Sequence, residues 1–328
     1  MTQTIRIGIC GYGNLGRGGE RSIAQQPDMT LVAIFSRRGQ AGVKPLDPAT
    51  VVEHLDQVIL YQDKIDVMIL CGGSATDLPE QTPMLARYFN TIDSFDTHAK
   101  IPEHFAAVDR IAQTHQHVSI ISVGWDPGLF SINRVLAEVV LPLGESYTFW
   151  GKGLSQGHSD AVRRIEGVKH AVQYTIPSQD AMDRVRQGEQ PQLSTGDKHS
   201  RECFVVLEEG ADAARIEQAI KTMPDYFVDY ETSVQFISEA NFMQEHQEMP
   251  HGGVVIRSGQ TGEQTQQTYE FKLNLGSNPE FTGSVLVAYA RAAHKMKQAG
   301  QVGAKTVFDV TLGDLSAKSA QDLRKFYL

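Results

Sequence analysis

Only 3 cysteines occur in the 328 residues, Cys10, Cys71 and Cys203, and no two of them form a C-x-x-C pair. A disulfide framework and a cysteine zinc site are therefore excluded, and no metal is expected. Two of the three lie inside apolar runs, which suits reduced, buried thiols. Long hydrophobic runs are also missing: no window approaches the ~18 apolar residues of a membrane span, and MTQTIRIGICGYG has no basic leader followed by an apolar stretch. A cytoplasmic protein without a membrane partner is expected. Positive charge is in short supply, with 30 Lys and Arg against 39 Asp and Glu for a formal net charge of −9, which argues against a nucleic-acid partner. Repeats and low-complexity linkers are absent as well.

What is present is a change of texture. From residue 5 to about 122, short β-branched runs (TIRIGIC, LVAIFS, DVMILC, NTIDSF, HVSIISV) alternate with longer polar-apolar stretches (NLGRGGERSIAQQ, TPMLARYF, PEHFAAVDRIAQTH). This βαβα alternation predicts a parallel sheet covered by helices. After GWDPG, isolated strand-like runs (SYTFW, AVQYTI, ECFVVLE, YETSVQFI, GVVIRS, TYEFKLNL) predict an α+β domain, and residues 279–299 carry apolar positions at helical spacing. The expected fold is an α/β Rossmann-type dinucleotide-binding domain, residues 1–124 completed by 279–328, plus an α+β substrate-binding and dimerisation domain over 125–278.

The first strand runs into Gly11, Gly13 and Gly16 in G-x-G-x-x-G spacing, with a helix expected to follow. In that context one glycine makes the tight turn, one lets the backbone approach a pyrophosphate, and one lets the helix pack on the strand. Gly18 and Gly19 then stand inside the predicted helix, where glycine is unfavourable. The second strand of such a unit ordinarily ends in an acid that binds the adenosine 2′-hydroxyl of NAD. Here Ser36, Arg37 and Arg38 stand at that end, and a hydroxyl with two guanidinium groups suits the 2′-phosphate of NADP. Two more strand ends, CGGSATD and SFD, open on the same edge of the sheet, so Asp96 and, in GWDPG, Asp126 are expected to face the cofactor.

The chain resembles the meso-diaminopimelate dehydrogenases, bacterial enzymes of lysine and cell-wall biosynthesis. The resemblance runs through nearly all of its length in GYGNLGR, IFSRR, CGGSATDLPEQ, GWDPGLFSINRV, FWGKGLSQGHSDAVRRI, AVQYTIPS, TMPDYFV, MPHGG and NPEFT. Only the stretch from Gly39 to Tyr61 looks longer than in some members. The resemblance implies reversible oxidative deamination of meso-diaminopimelate at its D-centre, hydride transfer to NADP, release of ammonia, and a homodimer. A broader NADP-dependent D-amino-acid dehydrogenase is the alternative.

Carried over by position, the family's cofactor contacts fall on Tyr12, Asn14 and Leu15 beside the three glycines, on Ser36, Arg37 and Arg38, and on Cys71, Gly72, Gly73 and Ser74. They continue on Ser94, Phe95 and Asp96, and on Val123, Gly124, Trp125, Asp126 and Pro127. The implied substrate contacts are Asp96, Asp126, Trp150, Gln156, Gly157, Thr175, Arg201, His251 and Asn278, with Asp96 and Asp126 at the reacting centre. The chemistry of the substrate agrees with this set. Diaminopimelate carries two ammonium and two carboxylate groups, so its site needs carboxylates at one place and cations or donors at another.

Two other classes compete. GLSQG (153–157) fits the serine-hydrolase elbow G-x-S-x-G, and HGG (251–253) is like an oxyanion loop, but that loop should precede the nucleophile and here it follows. A catalytically silent NADP-binding regulator is compatible with the fold alone.

Overall fold

The computed structural model describes residues 4–328. They form two compact units, one holding the residues up to Ile132 together with Pro279–Leu328, the other Asn133–Asn278. The strands in chain order are β1 Ile5–Cys10, β2 Met29–Ser36, β3 Val52–His54, β4 Val67–Leu70, β5 Asn90–Asp93, β6 Val118–Ile120, β7 Gly144–Trp150, β8 Gly153–Leu154, β9 Val168–Pro177, β10 His199–Leu207, β11 Thr232–Phe236, β12 His251–Gly262, β13 Thr265–Leu275 and β14 Gly303–Lys305.

In the first unit seven strands pair in the order β14-β6-β5-β4-β1-β2-β3, all parallel. Because side chains alternate across a strand, the apolar runs supply both faces. Ile5, Ile7 and Ile9 of β1 join Ile34, Ile69, Ile92 and the helix Asn278–Gln298 on one side. Cys10, Phe35, Met68 and Leu70 meet Leu78, Leu85 and Phe89 on the other. The strand order reverses between β1 and β4, the switch point at whose C-terminal side open α/β sheets bind ligands.

Gly18 and Gly19 do lie within a helix, Asn14–Ile23, and Gly18 has a steric reason to be there. A Cβ on Gly18 would lie 2.5 Å from the Pro279 carbonyl oxygen, and one on Gly283 would lie 2.6 Å from the Gly18 carbonyl carbon. The two glycines let the backbones of the first and last long helices of this unit touch. Arg291, 3 % exposed, then fastens the last helix: its guanidinium donates to both oxygens of Asp28 (2.6 and 2.7 Å), to the Gln26 amide oxygen and to the Leu315 carbonyl.

The second unit carries a mixed sheet, β11-β10-β9-β8, in which only β10 and β11 are parallel, and an antiparallel sheet, β13-β12-β7. Val162, Ile216, Ile220 and Phe227 pack on one face of the mixed sheet against Ala171, Cys203 and Val205. Phe242 covers the other face with Val172, Tyr174 and Val206. The fold class expected from the sequence is borne out in both halves. Among the described residues, no helix is long and apolar enough to cross a membrane.

Candidate functional site

At the switch point of the first unit a cavity of about 270 Å³ is lined by the glycine loop (Gly11, Tyr12, Gly13), by Ser36, Arg37 and Arg38 at the end of β2, and by Cys71, Gly72 and Gly73 after β4. The turn geometry needs its glycines. Gly11 sits at φ 91°, and a Cβ on Gly16 would lie 2.4 Å from the Gly11 carbonyl oxygen, whereas Gly13 has open space where its Cβ would be. Gly13 is also the N-cap of the helix Asn14–Ile23, which no side chain caps, so the positive end of that helix opens on the cavity wall.

Ser36 is nearly buried, and its Oγ accepts the Arg38 N–H (3.2 Å). Arg38 donates to the Tyr12 carbonyl, which joins the second strand end to the glycine loop. Arg37 is 70 % exposed and pairs with Asp77 at 3.1 Å. Burial pushes the Cys10 thiol up to about 12 and raises Cys71 as well, so both stay protonated and unreactive beside the loop.

The wall also includes Leu55, Asp77 and Gln81, which are not among the residues expected at the cofactor. Asp77 lies within the CGGSATD run, and its signal is the helix start it precedes; its carboxylate accepts the Gly73 N–H at 2.9 Å. Leu55 comes from the 39–61 stretch, which builds the edge strand β3. Glu20, buried at 5 % exposure, ties this stretch down by accepting the Leu46 and Asp47 N–H groups (3.0 and 3.1 Å), and it also takes the Tyr12 hydroxyl.

The strand ends beyond β4 are laced together. Ser74 Oγ accepts the Asp96 N–H at 2.8 Å, and the Val123 N–H donates to the Asp93 carbonyl at 2.9 Å. Ser94 is half-buried, Phe95 is buried against His104, and Asp96 is exposed. GWDPG is a tight turn: the Leu129 N–H donates to the Gly124 carbonyl, Trp125 bridges to Gly128, and Trp125 packs edge-on against Phe130. Asp126 and Pro127 are half-buried at its tip.

In the second unit the sheet register gathers residues distant in sequence. Gly153 and Arg201 both stand opposite Thr175. A Cβ on Gly153 would strike the His251 ring at 2.5 Å, so glycine there admits the imidazole. The Arg201 guanidinium donates to Thr175 Oγ1 and lies 3.9 Å over the Tyr230 ring. It is 7 % exposed, has no carboxylate partner among the described residues, and its Nε has no hydrogen-bond partner. Burial lowers its pKa from the usual arginine value.

Trp150 stacks on His199 (5.3 Å), and its main-chain N–H donates to His199 Nε2 at 2.8 Å, which requires a neutral ring; burial, reinforced by Arg201, pulls His199 down to about 4. His251 is likewise lowered by burial, and its Nδ1 accepts the Gly252 N–H. Gln156 donates to Met249 Sδ (3.4 Å), the Asn278 N–H donates to the Met249 carbonyl, and Gly157 is exposed with open space at its Cβ position. Asp96 and Asp126 are not part of this cluster and belong to the first unit. Ser155 does contact His158 (2.8 Å), but burial and Arg201 draw that ring down to about 4, and the rings of Tyr226 and Phe227, not a carboxylate, pack against it. A serine triad is not built here.

Comparison with known proteins decides the family. The chain is 66 % identical over 321 residues to a meso-diaminopimelate D-dehydrogenase of Lysinibacillus sphaericus, covering 98 % of each chain. It belongs to the meso-diaminopimelate D-dehydrogenase family. The resemblance read from the motifs is thereby borne out. The family's model for the diaminopimelic acid dehydrogenase C-terminal domain matches residues 124–277. Two solved structures are similar over almost their whole length. One is the C. glutamicum diaminopimelate dehydrogenase in complex with DAP (51 % identity, TM-score 0.91, covering 100 % of both chains). The other is an engineered D-amino acid dehydrogenase bound to NADP+ (49 % identity, TM-score 0.86, covering 99 % of this chain and 100 % of that one). For this family member, a hydroxyl and two guanidinium groups at the end of β2 and an unhindered Gly13 fit a phosphorylated dinucleotide.

Proposed function

We propose that this chain catalyses the reversible, NADP-dependent oxidative deamination of meso-2,6-diaminopimelate at its D-centre, giving L-2-amino-6-oxopimelate and ammonia, in L-lysine biosynthesis. The observation that carries the reading is Arg201, a buried guanidinium with no carboxylate partner among the described residues, held in place by Thr175 and Tyr230. A buried cation is costly unless paired, and a substrate carboxylate completes the pair with two parallel hydrogen bonds. Thr175, His251 and Asn278 serve the same L-amino-acid end, with Trp150, Gln156 and Gly157 around it. Asp96 and Asp126 take the amino group of the D-centre.

NADP, when bound, takes the hydride from the D-carbon. The glycine loop and Ser36, Arg37 and Arg38 hold its phosphates, and the loops Cys71–Ser74, Ser94–Asp96 and Val123–Pro127 line its path. By holding the substrate at both ends these residues present one carbon and keep the L-centre from reacting, so catalysis here is chiefly positioning. Water then adds to the substrate's imine, and ammonia leaves as the carbonyl forms.

The protein works in the cytoplasm as a homodimer; supporting the dimer, Val135, Leu136, Val139, Val140 and Leu143 form an exposed apolar row in the second unit. Sedimentation at micromolar concentration tests it, with a monomer refuting the assembly. The activity is tested by NADP reduction with meso-, LL- and DD-diaminopimelate side by side. Turnover of the meso and DD isomers but not the LL isomer is expected, with meso preferred. Equal turnover of simple D-amino acids would favour the broader dehydrogenase, and no turnover of any would refute the enzyme.

A further inference from the structure

Asp93 ends β5 with its carboxylate fully buried. One oxygen accepts the Thr82 hydroxyl and His104 Nε2, each at 2.8 Å. The other accepts two backbone N–H groups, that of Phe95 at 3.0 Å and that of Ser122 at 2.9 Å. These two amides open the two loops that carry Asp96 and Asp126. The Asp93 main-chain carbonyl takes a third loop amide, from Val123. His104 in turn stacks on Phe95, with ring centroids 4.1 Å apart and planes 19° apart.

A carboxylate stripped of water in a parallel sheet is expensive, and an apolar side chain would fill the same place at lower cost. Its geometry shows what the charge does. Ser122 is held at φ 57°, a left-handed conformation that non-glycine residues rarely adopt, and its N–H is turned inward onto Asp93. Thr82 and His104 come from two different helices, Leu78–Leu85 and Ile101–Thr114, and fix the second oxygen, so the first is aimed at the two loops. We infer that Asp93 is a positioning residue for the reaction: its buried carboxylate staples the Ser94–Asp96 loop to the Ser122–Pro127 loop and so sets Asp96 and Asp126 at one reacting centre. This rests on the roles proposed above for those two acids.

The test uses the full-length protein and two variants, Asp93→Ala and Asp93→Asn. Asparagine keeps the volume and an acceptor for the loop amides but turns an NH2 toward Thr82 and His104. Three quantities are measured: kcat for NADP reduction by meso-diaminopimelate, the affinity for 2′-phosphoadenosine diphosphoribose, and hydrogen exchange of the amides in 94–96 and 121–123. The fragment lacks the nicotinamide and reads the glycine loop and the Ser36–Arg38 end.

Expected are a fall in kcat of tenfold or more for alanine and three- to tenfold for asparagine, with fragment affinity within twofold of wild type and faster exchange in both loops. Should the alanine variant fail to fold, asparagine decides alone. A kcat for asparagine within twofold of wild type, or a fragment affinity that falls in step with kcat, overturns the inference. If the wild-type protein does not oxidise diaminopimelate, the proposed function has failed; exchange then tests the staple independently, and unchanged protection in both loops overturns it.

Discussion

Replacing Arg201 by alanine separates substrate recognition from everything else the chain does. The side chain donates to Thr175, covers Tyr230 at 3.9 Å and is almost buried. A hydrogen bond to a charged group is worth ~1.5 to 3 kcal/mol, so losing the carboxylate contact raises the KM for meso-diaminopimelate by about 10- to 150-fold. The contact is made equally in ground and transition states, so kcat falls much less than kcat/KM. Folding loses a cation–π contact of about 1 to 2 kcal/mol but is relieved of a desolvated charge, and the two nearly offset in Tm. Arg201→Lys restores less than half of the lost binding energy, because an ammonium gives neither the two-pronged contact nor the flat stack on Tyr230. Steady-state assays at saturating NADP, with NADPH affinity followed by fluorescence, check the argument. An unchanged KM, or a loss of NADPH affinity in its place, refutes it.

Replacing both Arg37 and Arg38 by alanine weakens NADP by tenfold or more while leaving NAD nearly unaffected, as a comparison of the two KM values will read. Asp126→Asn keeps the turn chemistry of GWDPG and lowers kcat/KM for deamination at least tenfold with Tm and NADPH binding near wild type; normal turnover returns Asp126 to a turn residue. The rings of His158 and His199 lie near pKa 4 in the fold against 6.5 free, so their stabilisation is complete above about pH 6.5 and is lost as pH falls toward 4. For His199 that is up to about 3 kcal/mol, and Tm measured against pH should be flatter in His199→Gln. Gly18→Ala, whose Cβ would lie 2.5 Å from the Pro279 carbonyl oxygen, costs about 1 to 3 kcal/mol and lowers Tm by several degrees.

The longer strands of both units were legible because each is a β-branched run bounded by turn residues, and the glycine loop because its neighbours are a strand and a helix. β3, β8 and β14 were not: three, two and three residues long, they carry no periodicity and exist only because a neighbouring strand offers hydrogen bonds. Asp77, Gln81 and Leu55 escaped for a related reason, since a cavity wall is assembled from several segments. Arg201, His251 and Gly153 had no local signature either. Taken singly, an arginine in a strand is more often a surface ion pair, and only the resemblance to the family singles out Arg201 and His251. Pairing of β8, β9 and β10 brings Gly153 and Arg201 to Thr175.

The first unit is closed by residues that follow the whole of the second. Its seventh strand, β14, and the helix Asn278–Gln298 that covers one face of its sheet lie beyond the last strand of the inserted unit. Synthesis runs from the N-terminus, and domains tend to fold as they emerge. The inserted unit thus has all its strands outside the ribosome while the nucleotide-binding sheet still lacks its edge strand and its largest covering helix. During that interval the apolar side chains of Ile7, Ile9, Ile34 and Ile69 have the helix Asn14–Ile23 beside them but lack the cover of the helix Asn278–Gln298. A nascent chain whose residues up to 278 have just cleared the ribosome presents one finished unit and one open sheet, which is the form that a chaperone binding exposed apolar strands would meet.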